Sequence, residues 1–323
     1  MKLRSFILRC GAVLLSGVLA LSLCGCASAQ KKEIAVIVKS VDSDFWHNVK
    51  NGVDSAATEY NVTVTFEGPA NEEDYRTQND MIAAAADRGV DAILLSAIDF
   101  EQSAETVSEA ARKGVKIFAI DSAVNAPQVR MFIGTDNTAA GRAAGEAATS
   151  GFASGEKICI GLVNYYERTD NGIRREQGFR DYIATLPNAK VVESVNVASN
   201  AESATAGALA LLRDHPEINV LVGFNEWMTI GVGRAIAQQS DPSRVRGVGF
   251  DTNLESVGML ETGEMDALIV QNPFAIGYLG VKNAVEQLGG AGNDEKNRFT
   301  DVTIVTKENL YDPNIQKLVF RFS

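Results

Sequence analysis

The sequence has few of the residues on which most metal and nucleophilic chemistry depends. It has two histidines, His47 and His215, and neither has a cysteine or histidine partner at the spacing of a zinc site. It also lacks the GxSxG turn of serine hydrolases and the GxxxxGK loop that cradles phosphates. We therefore expect no metal, and an enzyme would have to work without the commonest catalytic motifs.

Basic residues are in the minority. Lysine and arginine number 30 against 41 aspartates and glutamates, which gives a formal net charge of −11 and a pI of about 4.8. Because no basic patch offsets the repulsion from phosphates, we exclude nucleic acid as a partner. The composition is otherwise globular, with 46% hydrophobic residues, and 323 residues suit two domains better than one.

The apolar run at the start of the chain is too short to cross a bilayer comfortably. It extends from residue 11 to residue 23 and follows the basic residues Lys2, Arg4 and Arg9, an arrangement typical of an export signal. The run ends in Leu23-Cys24-Gly25-Cys26, which resembles the bacterial lipobox, where the cysteine after a small residue receives lipid.

This resemblance implies a lipoprotein. Residues 1–25 would be the signal peptide with its lipobox, Cys26 the lipidated N-terminus and residues 26–32 the lipid-anchored linker. The alternative is an ordinary signal cleaved at Ala27-Ser28-Ala29. With Cys26 acylated, Cys159 is the only cysteine left in the folded part, so we expect no internal disulfide and a fold held by its core.

The stretch after the linker changes from apolar to polar residues in its middle. Residues 34–38 form an apolar run of the kind that fills a strand buried on both faces of a parallel sheet. Polar residues follow, beginning with Lys39, and Phe45, Trp46 and Val49 then recur at helical spacing. A strand, a polar turn and a helix start a βαβ unit, whose turn lies at the ligand-binding edge of an open α/β sheet.

Strand-like and helix-like segments alternate along the rest of the chain. We predict strands at residues 62–66, 92–96, 115–120, 131–134, 157–163, 191–195, 220–223, 245–249 and 267–270, with helices near 72–88 and 102–113 among those between them. Such alternation predicts an α/β protein with right-handed crossovers and two doubly wound parallel sheets, hence two lobes. The two halves also contain similar segments, since the apolar run in GVKIFAIDS is followed by Asp121 and that in RVRGVGFDT by Asp251. An internal duplication and the general pattern of doubly wound proteins explain this similarity equally well.

Six motifs, each weak alone, occur in one order along the chain. They are residues 34–46, Ala119-Ile120-Asp121, Arg174-Arg175-Glu176-Gln177-Gly178-Phe179, Phe224-Asn225-Glu226, Val248-Gly249-Phe250-Asp251-Thr252 and Val270-Gln271-Asn272-Pro273. In this order the chain resembles the periplasmic sugar-binding proteins of ABC importers, in the ribose, galactose and arabinose group, from about Glu33 to Thr306.

The resemblance implies the type I periplasmic binding protein fold, in which two similar lobes joined by a three-crossover hinge hold a sugar between them. The N-terminal lobe would comprise residues 33–135 plus 273–299, and the C-terminal lobe residues 136–272 plus 300–323. The crossovers would fall near residues 134–136, 271–273 and 299–301.

The resemblance also implies a set of ligand-binding residues. Aromatic rings would pack against the C–H faces of the sugar, and polar groups from both lobes and the hinge would bind its hydroxyls. The residues are Phe45 and Trp46, then Lys39 and Asp121, then Asn171, Arg175, Asn225, Asp251 and Gln271. Ser122 and Ser199 stand where the ribose type has an arginine and an aromatic ring, so ribose itself is left open.

The same residues suit a sugar on chemical grounds alone. A sugar hydroxyl both donates and accepts, so a site for several hydroxyls needs carboxylates, amides and guanidinium groups in fixed geometry. Four of these residues also have a simpler interpretation. Asn225 and Asp251 could cap the helices that follow them, and Phe45 and Trp46 could be core residues, at least one of them mostly so.

The function implied is that of an extracytoplasmic, lipid-anchored solute-binding protein for carbohydrate transport. We expect a monomer, without cofactor or enzymatic activity, that captures a monosaccharide or similar polyhydroxyl ligand and delivers it to an ABC permease. The alternative is a sugar sensor that presents its closed form to a chemoreceptor or a histidine kinase. A lactose-repressor-type regulator would share the fold, but the export signal and the missing DNA-binding headpiece oppose it.

Overall fold

The computed structural model describes residues 31–291 and 295–320. The predicted signal peptide, the predicted lipidation site Cys26 and residues 27–30 of the linker lie outside the described residues. From Glu33 onward the described residues belong to one compact unit.

The first sheet has six strands in the order β11-β5-β4-β3-β1-β2, and every neighbouring pair is parallel. The strands are β1 (Glu33–Ile37), β2 (Thr63–Glu67), β3 (Ala92–Leu95), β4 (Lys116–Ile120), β5 (Val129–Thr135) and β11 (Asn297–Thr300). In β1 the alternate residues Ile34 and Val36 join one core, and Ala35 and Ile37 join another on the opposite face. The sheet is thus buried on both sides, as its apolar strands predict.

Helices cover both faces of this sheet. One face packs against α1 (Asp44–Glu59) and α9 (Pro273–Leu288), and the other against α2 (Tyr75–Arg88) and α3 (Ala104–Arg112). Ser43 caps the first turn of α1 by accepting from the Trp46 N–H, and Asp74 caps α2 by accepting from the Thr77 N–H. We call this sheet with its four helices the N-terminal lobe.

The second sheet repeats the order of the first, β12-β10-β9-β8-β6-β7, and only its β10–β12 pair is antiparallel. The strands are β6 (Ile158–Asn164), β7 (Ala189–Asn196), β8 (Val220–Gly223), β9 (Arg246–Phe250), β10 (Ala267–Val270) and β12 (Thr303–Val305). Its helices are α4 (Asn137–Thr149), α5 (Asp170–Ile183), α6 (Ala201–Asp214), α7 (Glu226–Ala237), α8 (Leu254–Thr262) and α10 (Pro313–Val319), with a 3-10 turn at Pro242–Arg244. We call this sheet with these helices the C-terminal lobe.

Each lobe is completed by a helix whose preceding strand belongs to the other lobe. Helix α4 follows β5 of the first sheet but packs on α5 of the C-terminal lobe, and α9 follows β10 of the second sheet but packs on α1. Glycines allow both close approaches. A Cβ at Gly141 of α4 would lie 1.9 Å from the Arg175 carbonyl oxygen, and one at Gly277 of α9 would lie 2.1 Å from that of Val49.

The predicted fold class is confirmed, because the structure has two parallel-dominated α/β sheets, each flanked by helices. The chain passes between the two lobes more than once. The chain changes sheet after β5, after β10 and between β11 and β12.

The predicted strands lie within two residues of the observed ones, whereas the helix predicted from Glu72 begins only at Tyr75. Within the described part of the chain, no helix has both the length and the hydrophobicity that crossing a bilayer requires.

Candidate functional site

A cavity of about 290 Å³ lies between the carboxyl ends of the two sheets. All nine residues predicted to bind the ligand line it, and the structure therefore brings the whole predicted set together. Five further residues complete the lining and were not among the nine: Ser43, Glu72, Tyr165, Glu226 and Trp227. For Trp227 the sequence left open a cleft wall or a helix–helix contact, and the structure places it in the wall. Whether the nine bind a ligand stays a prediction.

The ends of parallel strands explain why these residues meet. Lys39 comes two residues after β1, while Asp121 and Asp251 directly follow β4 and β9, and Gln271 directly follows β10. Because parallel strands end at the same edge of a sheet, the polar residue after each strand points to the same crevice. Asn225 is placed similarly, two residues after β8.

Asp121 and Asp251 occupy matching positions and share an unusual backbone. Both have a positive φ, 59° and 66°, which is a left-handed conformation that non-glycine residues adopt at a cost. Each donates its N–H to the neighbouring strand, Asp121 to the Ile133 carbonyl and Asp251 to the Ile269 carbonyl, both at 3.1 Å. The hydrogen bonds hold the two carboxylates in the crevice in equivalent ways.

Lys39 is a buried cation between two carboxylates. Its Nζ lies 3.6 Å from Asp121 Oδ2 and 4.0 Å from Glu72 Oε2, and 5.4 Å from the centre of the Tyr165 ring. Burial opposes the charge, but Glu72 and Asp121 outweigh it and raise the pKa of Lys39. Lys39 is therefore charged at neutral pH and can donate to a ligand oxygen.

Asp121 and Asn171 connect the two lobes. Asp121 accepts from Ser96 Oγ at 2.9 Å and from Asn171 Nδ2 at 3.2 and 3.3 Å. The Tyr165 hydroxyl donates to Asn171 Oδ1 at 2.7 Å, and burial raises the pKa of Tyr165 to about 12, so the phenol keeps its proton. Asn171 and Arg175 are one turn apart on α5 and face the cavity together.

Arg175 is only 1% exposed, and part of its guanidinium has no partner among the residues that the structure describes. Nε donates to Asn137 Oδ1 and Nη1 to the Phe224 carbonyl, both at 2.8 Å, and the group lies 4.5 Å from the centre of the Phe250 ring. Nη2 is buried without a hydrogen-bond partner among the described residues. A buried donor of this kind is costly unless a ligand accepts from it.

Asp251 is bonded to the hinge. Gln271 Nε2 donates to Asp251 Oδ1 at 2.8 Å, and Thr135 Oγ1, at the end of β5, donates to Gln271 Oε1 at 2.7 Å. Burial raises the pKa of Asp251 to about 6, although Arg175 and the Gln271 hydrogen bond favour the ionised form. This series of hydrogen bonds runs from a cavity-lining residue of the C-terminal lobe to the strand that leaves the N-terminal lobe.

Phe45 and Trp46 belong both to the cavity wall and to the core of the N-terminal lobe. Their rings pack edge to face, with centroids 4.9 Å apart. Trp46 is 1% exposed and its Nε1 donates to Glu72 Oε1 at 3.0 Å. Trp46 is thus mostly a packing residue, which is what the sequence predicts for at least one of the two rings.

Glu72 lies in the loop before α2 and bridges the cleft. Its Oε2 accepts from Ser199 Oγ at 2.9 Å, and Ser199 Oγ in turn accepts from Asn225 Nδ2 at 2.9 Å. Ser199, at the position where the ribose type has an aromatic ring, is therefore part of a row of hydrogen-bonded polar side chains. Asn225 also caps α7, since its Oδ1 accepts from the Met228 N–H, whereas Asn253 rather than Asp251 caps α8.

Glu226 makes a second bridge between the lobes. Its Oε2 accepts from the Phe45 N–H of α1 at 3.2 Å, and its Oε1 accepts from Asn253 Nδ2 at 3.0 Å. Burial raises the pKa of Glu226 to about 7, Asp251 adds to the rise, and the hydrogen bonds from Asn253 and Phe45 limit it. An acidic residue in the first turn of a helix is commonly explained by its favourable interaction with the helix dipole. The sequence position of Glu226 therefore did not single it out as a cavity residue.

A third set of contacts closes the rim of the cleft outside the cavity. Asp99 of the N-terminal lobe accepts from the Tyr166 hydroxyl at 2.9 Å and lies 3.6 Å from Arg168 Nη1. Thr169 Oγ1 donates to the Ile98 carbonyl at 2.8 Å. In the described part of the chain no cluster of side chains could hold a metal ion.

The comparisons with known proteins agree with this geometry. The family model described as periplasmic binding protein domain matches residues 34–292. The D-allose-binding periplasmic protein of Escherichia coli K12 is 25% identical over 261 residues, which cover 79% of this chain and 84% of that protein.

Two solved structures are similar to this chain in both sequence and fold. A carbohydrate transporter solute-binding protein from Agrobacterium radiobacter, in complex with D-arabinose, is 29% identical with a TM-score of 0.86, covering 90% of this chain and 100% of that one. An ABC transporter solute-binding protein from Agrobacterium vitis with bound D-fucose is 32% identical with a TM-score of 0.85, covering 89% and 100%. The chain belongs to the periplasmic binding protein family, in its group of sugar-binding solute-binding proteins of ABC transporters.

Proposed function

We propose that the protein captures a monosaccharide, or a similar small polyhydroxyl compound, in the cavity between its lobes and delivers it to an ABC permease. The observation that carries this proposal is that all nine residues predicted for such a ligand line one cavity. The protein binds and releases its ligand unchanged and acts outside the cytoplasm.

The cavity offers the groups that a polyhydroxyl ligand needs. Arg175 Nη2 is a buried donor to which no described residue offers an acceptor, while Asp121 and Asp251 offer acceptors on opposite sides of the cleft. A charge-assisted hydrogen bond contributes roughly 1.5–3 kcal/mol, and a buried polar group left unpaired costs about 1–3 kcal/mol. An epimer that displaces one hydroxyl should therefore be rejected.

The ligands of the similar proteins support a ligand of monosaccharide size. The proteins compared above bind D-allose, D-arabinose and D-fucose, all of which are monosaccharides.

A thermal-shift screen of pentoses, hexoses, polyols and autoinducer-2, followed by calorimetry of each hit, tests the proposal. A true ligand at a hundredfold excess over its dissociation constant should add about 2.7 kcal/mol to the free energy of unfolding. If no neutral polyhydroxyl compound raises the melting temperature, the proposed function fails. The sensor alternative uses the same cleft, and stimulation of the partner permease's ATPase by the loaded protein is the result that favours transport.

We further propose that the protein is held at the membrane by lipid on Cys26. Replacing Cys26 with alanine should remove the acceptor thiol and release the protein into the soluble fraction, with sugar affinity unchanged because the cavity lies in the folded lobes. Cell fractionation with immunoblotting measures the release, and Cys159→Ser, in the buried strand β6, serves as the matched control. Retention of the Cys26→Ala variant in the membrane contradicts lipidation.

A further inference from the structure

The cavity contains more acidic than basic side chains. Glu72, Asp121, Glu226 and Asp251 line it, against Lys39 and Arg175 alone. All six are buried, and charges out of water interact more strongly than charges at the surface. The charge of the lining therefore bears on the charge of the ligand.

The imbalance is greatest near Glu226. Lys39 lies within 4.0 Å of both Glu72 and Asp121, so that end of the cavity has a cation of its own. Glu226 forms no ion pair with any residue that the structure describes, and the groups that donate hydrogen bonds to it, from Phe45, Asn253 and Ser43, are neutral. Asp251 is a second carboxylate close enough to repel it.

An uncompensated buried carboxylate is unfavourable, and burial together with Asp251 raises the pKa of Glu226 to about 7. A ligand with a positive charge at this end would supply the missing counter-ion. A ligand with a carboxylate or phosphate would add a further like charge, so the cavity opposes uronic acids and sugar phosphates.

A second, independent feature shows what the rest of the ligand must provide. Arg175 is almost wholly buried, and its Nη2 has no acceptor in the described part of the chain. A hydroxyl oxygen of a sugar can accept from it, whereas an ammonium group cannot. The ligand should therefore present hydroxyl oxygens to Arg175 and positive charge to the acidic end.

We propose that the cavity is selective for a sugar with a protonated amino group, whose ammonium lies against Glu226 and Asp251 while its hydroxyl oxygens accept from Arg175. This inference rests on the proposed function, because it names the class of sugar that the same cavity takes. It makes Glu226 a specificity-determining residue in addition to its hydrogen bond across the cleft to Phe45.

Calorimetry with matched ligands tests the inference. Each of 2-amino-2-deoxy-glucose, -galactose and -mannose is compared at neutral pH with its parent hexose, its N-acetyl derivative and the corresponding uronic acid. At least one amino sugar should bind about 10-fold tighter than its parent, the difference of a charge-assisted over a neutral hydrogen bond, and the uronic acids should bind most weakly. The N-acetyl derivative keeps the nitrogen but loses the charge, so it should lose the preference.

The variant Glu226→Gln keeps an acceptor for the Phe45 N–H but removes the negative charge. The ratio of amino-sugar affinity to parent-sugar affinity should fall towards one in this variant. Glu202→Gln is the matched control, because the Glu202 side chain on α6 is 82% exposed, and it should keep the full ratio.

The outcomes separate this inference from the proposed function. If parent hexoses bind as tightly as every amino sugar, or if uronic acids bind best, the amino-sugar selectivity is wrong while sugar binding stands. A ratio that survives in Glu226→Gln overturns the role of Glu226. If no sugar of any class binds, the proposed function itself fails, and the selectivity fails with it. The wild-type comparison decides the selectivity even if the variant does not fold.

Discussion

Arg175 is the residue on which ligand binding should depend most, since it is buried, faces the cavity and keeps one donor that is unpaired in the described part of the chain. We predict that Arg175→Ala loses about 2–5 kcal/mol of binding free energy, because the ligand then has an acceptor buried and unpaired. Asp251→Ala should lose a similar amount. Calorimetry with the ligand found by the screen measures both losses.

Asp42→Ala is the control for these substitutions, because Asp42 lies in the turn before α1 but is exposed. It should leave the affinity within a few tenths of a kcal/mol of the parent. Unaltered affinity in a folded Arg175→Ala or Asp251→Ala variant would place the binding site elsewhere, and the residues inferred from the family would be wrong at their most specific positions.

Glu226 should make stability depend on pH. Its pKa is raised from 4.5 to about 7 in the folded protein, so between these values the folded state holds a proton that the unfolded state has lost. The free energy of unfolding should therefore fall as pH rises through this window, by about 3 kcal/mol from this residue. Thermal unfolding of the ligand-free protein between pH 5 and pH 8 should show a smaller fall in Glu226→Gln. Equal slopes in the two proteins would mean that Glu226 does not carry this proton.

The sequence identified the site residues that follow strands, but not those whose burial depends on the opposite lobe. Lys39, Asp121 and Asp251 were predictable because each directly ends an apolar run. Glu226 is buried by its contact with Phe45, 181 residues away, and no local pattern reports that contact. Glu72 was missed for a different reason: its position was assigned to a helix, whereas Asp74 caps that helix and leaves Glu72 in the preceding loop.

At the scale of the elements, the pattern of apolar runs predicted which segments are strands better than where they end. β8 and β10 match their predicted ranges, whereas β7 extends from Ala189 to Asn196 and exceeds its predicted range at both ends. β7 is an edge strand with partly exposed residues, so its ends are set by pairing with β6 rather than by hydrophobicity. The left-handed turns at Asp121 and Asp251 had no signal either, because glycine is the usual residue there.

The contact between α4 and α5 should control the position of Arg175. In Gly141→Ala the new Cβ would lie 1.9 Å from the Arg175 carbonyl oxygen, so the helices must separate. We predict a loss of about 1–3 kcal/mol in stability from this overpacking, with weaker ligand binding because Arg175 moves with its helix. Thermal unfolding and calorimetry measure the two effects.

Gly258→Ala is the matched control on α8, where a Cβ would meet nothing within 4 Å. It should stabilise the protein by about 0.4–1 kcal/mol, because alanine restricts the unfolded chain more than glycine does. A Gly141→Ala protein as stable and as tightly binding as the parent would show that α4 and α5 separate without cost.

At the scale of the whole molecule, the lobes meet through contacts that only a closed cleft can form. Asn171 contacts Asp121, Glu72 contacts Ser199, and Tyr166 contacts Asp99, each pair joining opposite lobes. Three thin connections link the lobes, which permits hinge motion. We predict a smaller radius of gyration with sugar bound, because the ligand adds contacts with both lobes at once. Small-angle X-ray scattering measures the change, with a non-binding epimer as the control. Superimposable curves for free and saturated protein would contradict closure by the ligand.

The two-lobed architecture was predictable because the same succession of strands occurs twice, and the sheets have the same strand order. The closed contacts at the rim were not predictable, since Asp99 and Tyr166 have no sequence feature that distinguishes them from other polar loop residues. Their proximity follows from the angle between the lobes, which three short connections and the whole cleft surface set together.

The exchange of α4 and α9 between the lobes has a consequence for the order in which the chain can fold during synthesis. Helix α1 is made early but packs against α9, and the first sheet waits for β11, at residues 297–300, before its last strand is in place. The second sheet waits equally for β12, at residues 303–305. The core between the first sheet, α1 and α9 is complete only after residues 273–288 are made, and the core of the C-terminal lobe only after β12, whereas the opposite face of the first sheet draws its core from residues 35–129. A nascent chain of this topology therefore keeps apolar surface of α1 and of the second sheet open to chaperones until those later segments have been synthesised.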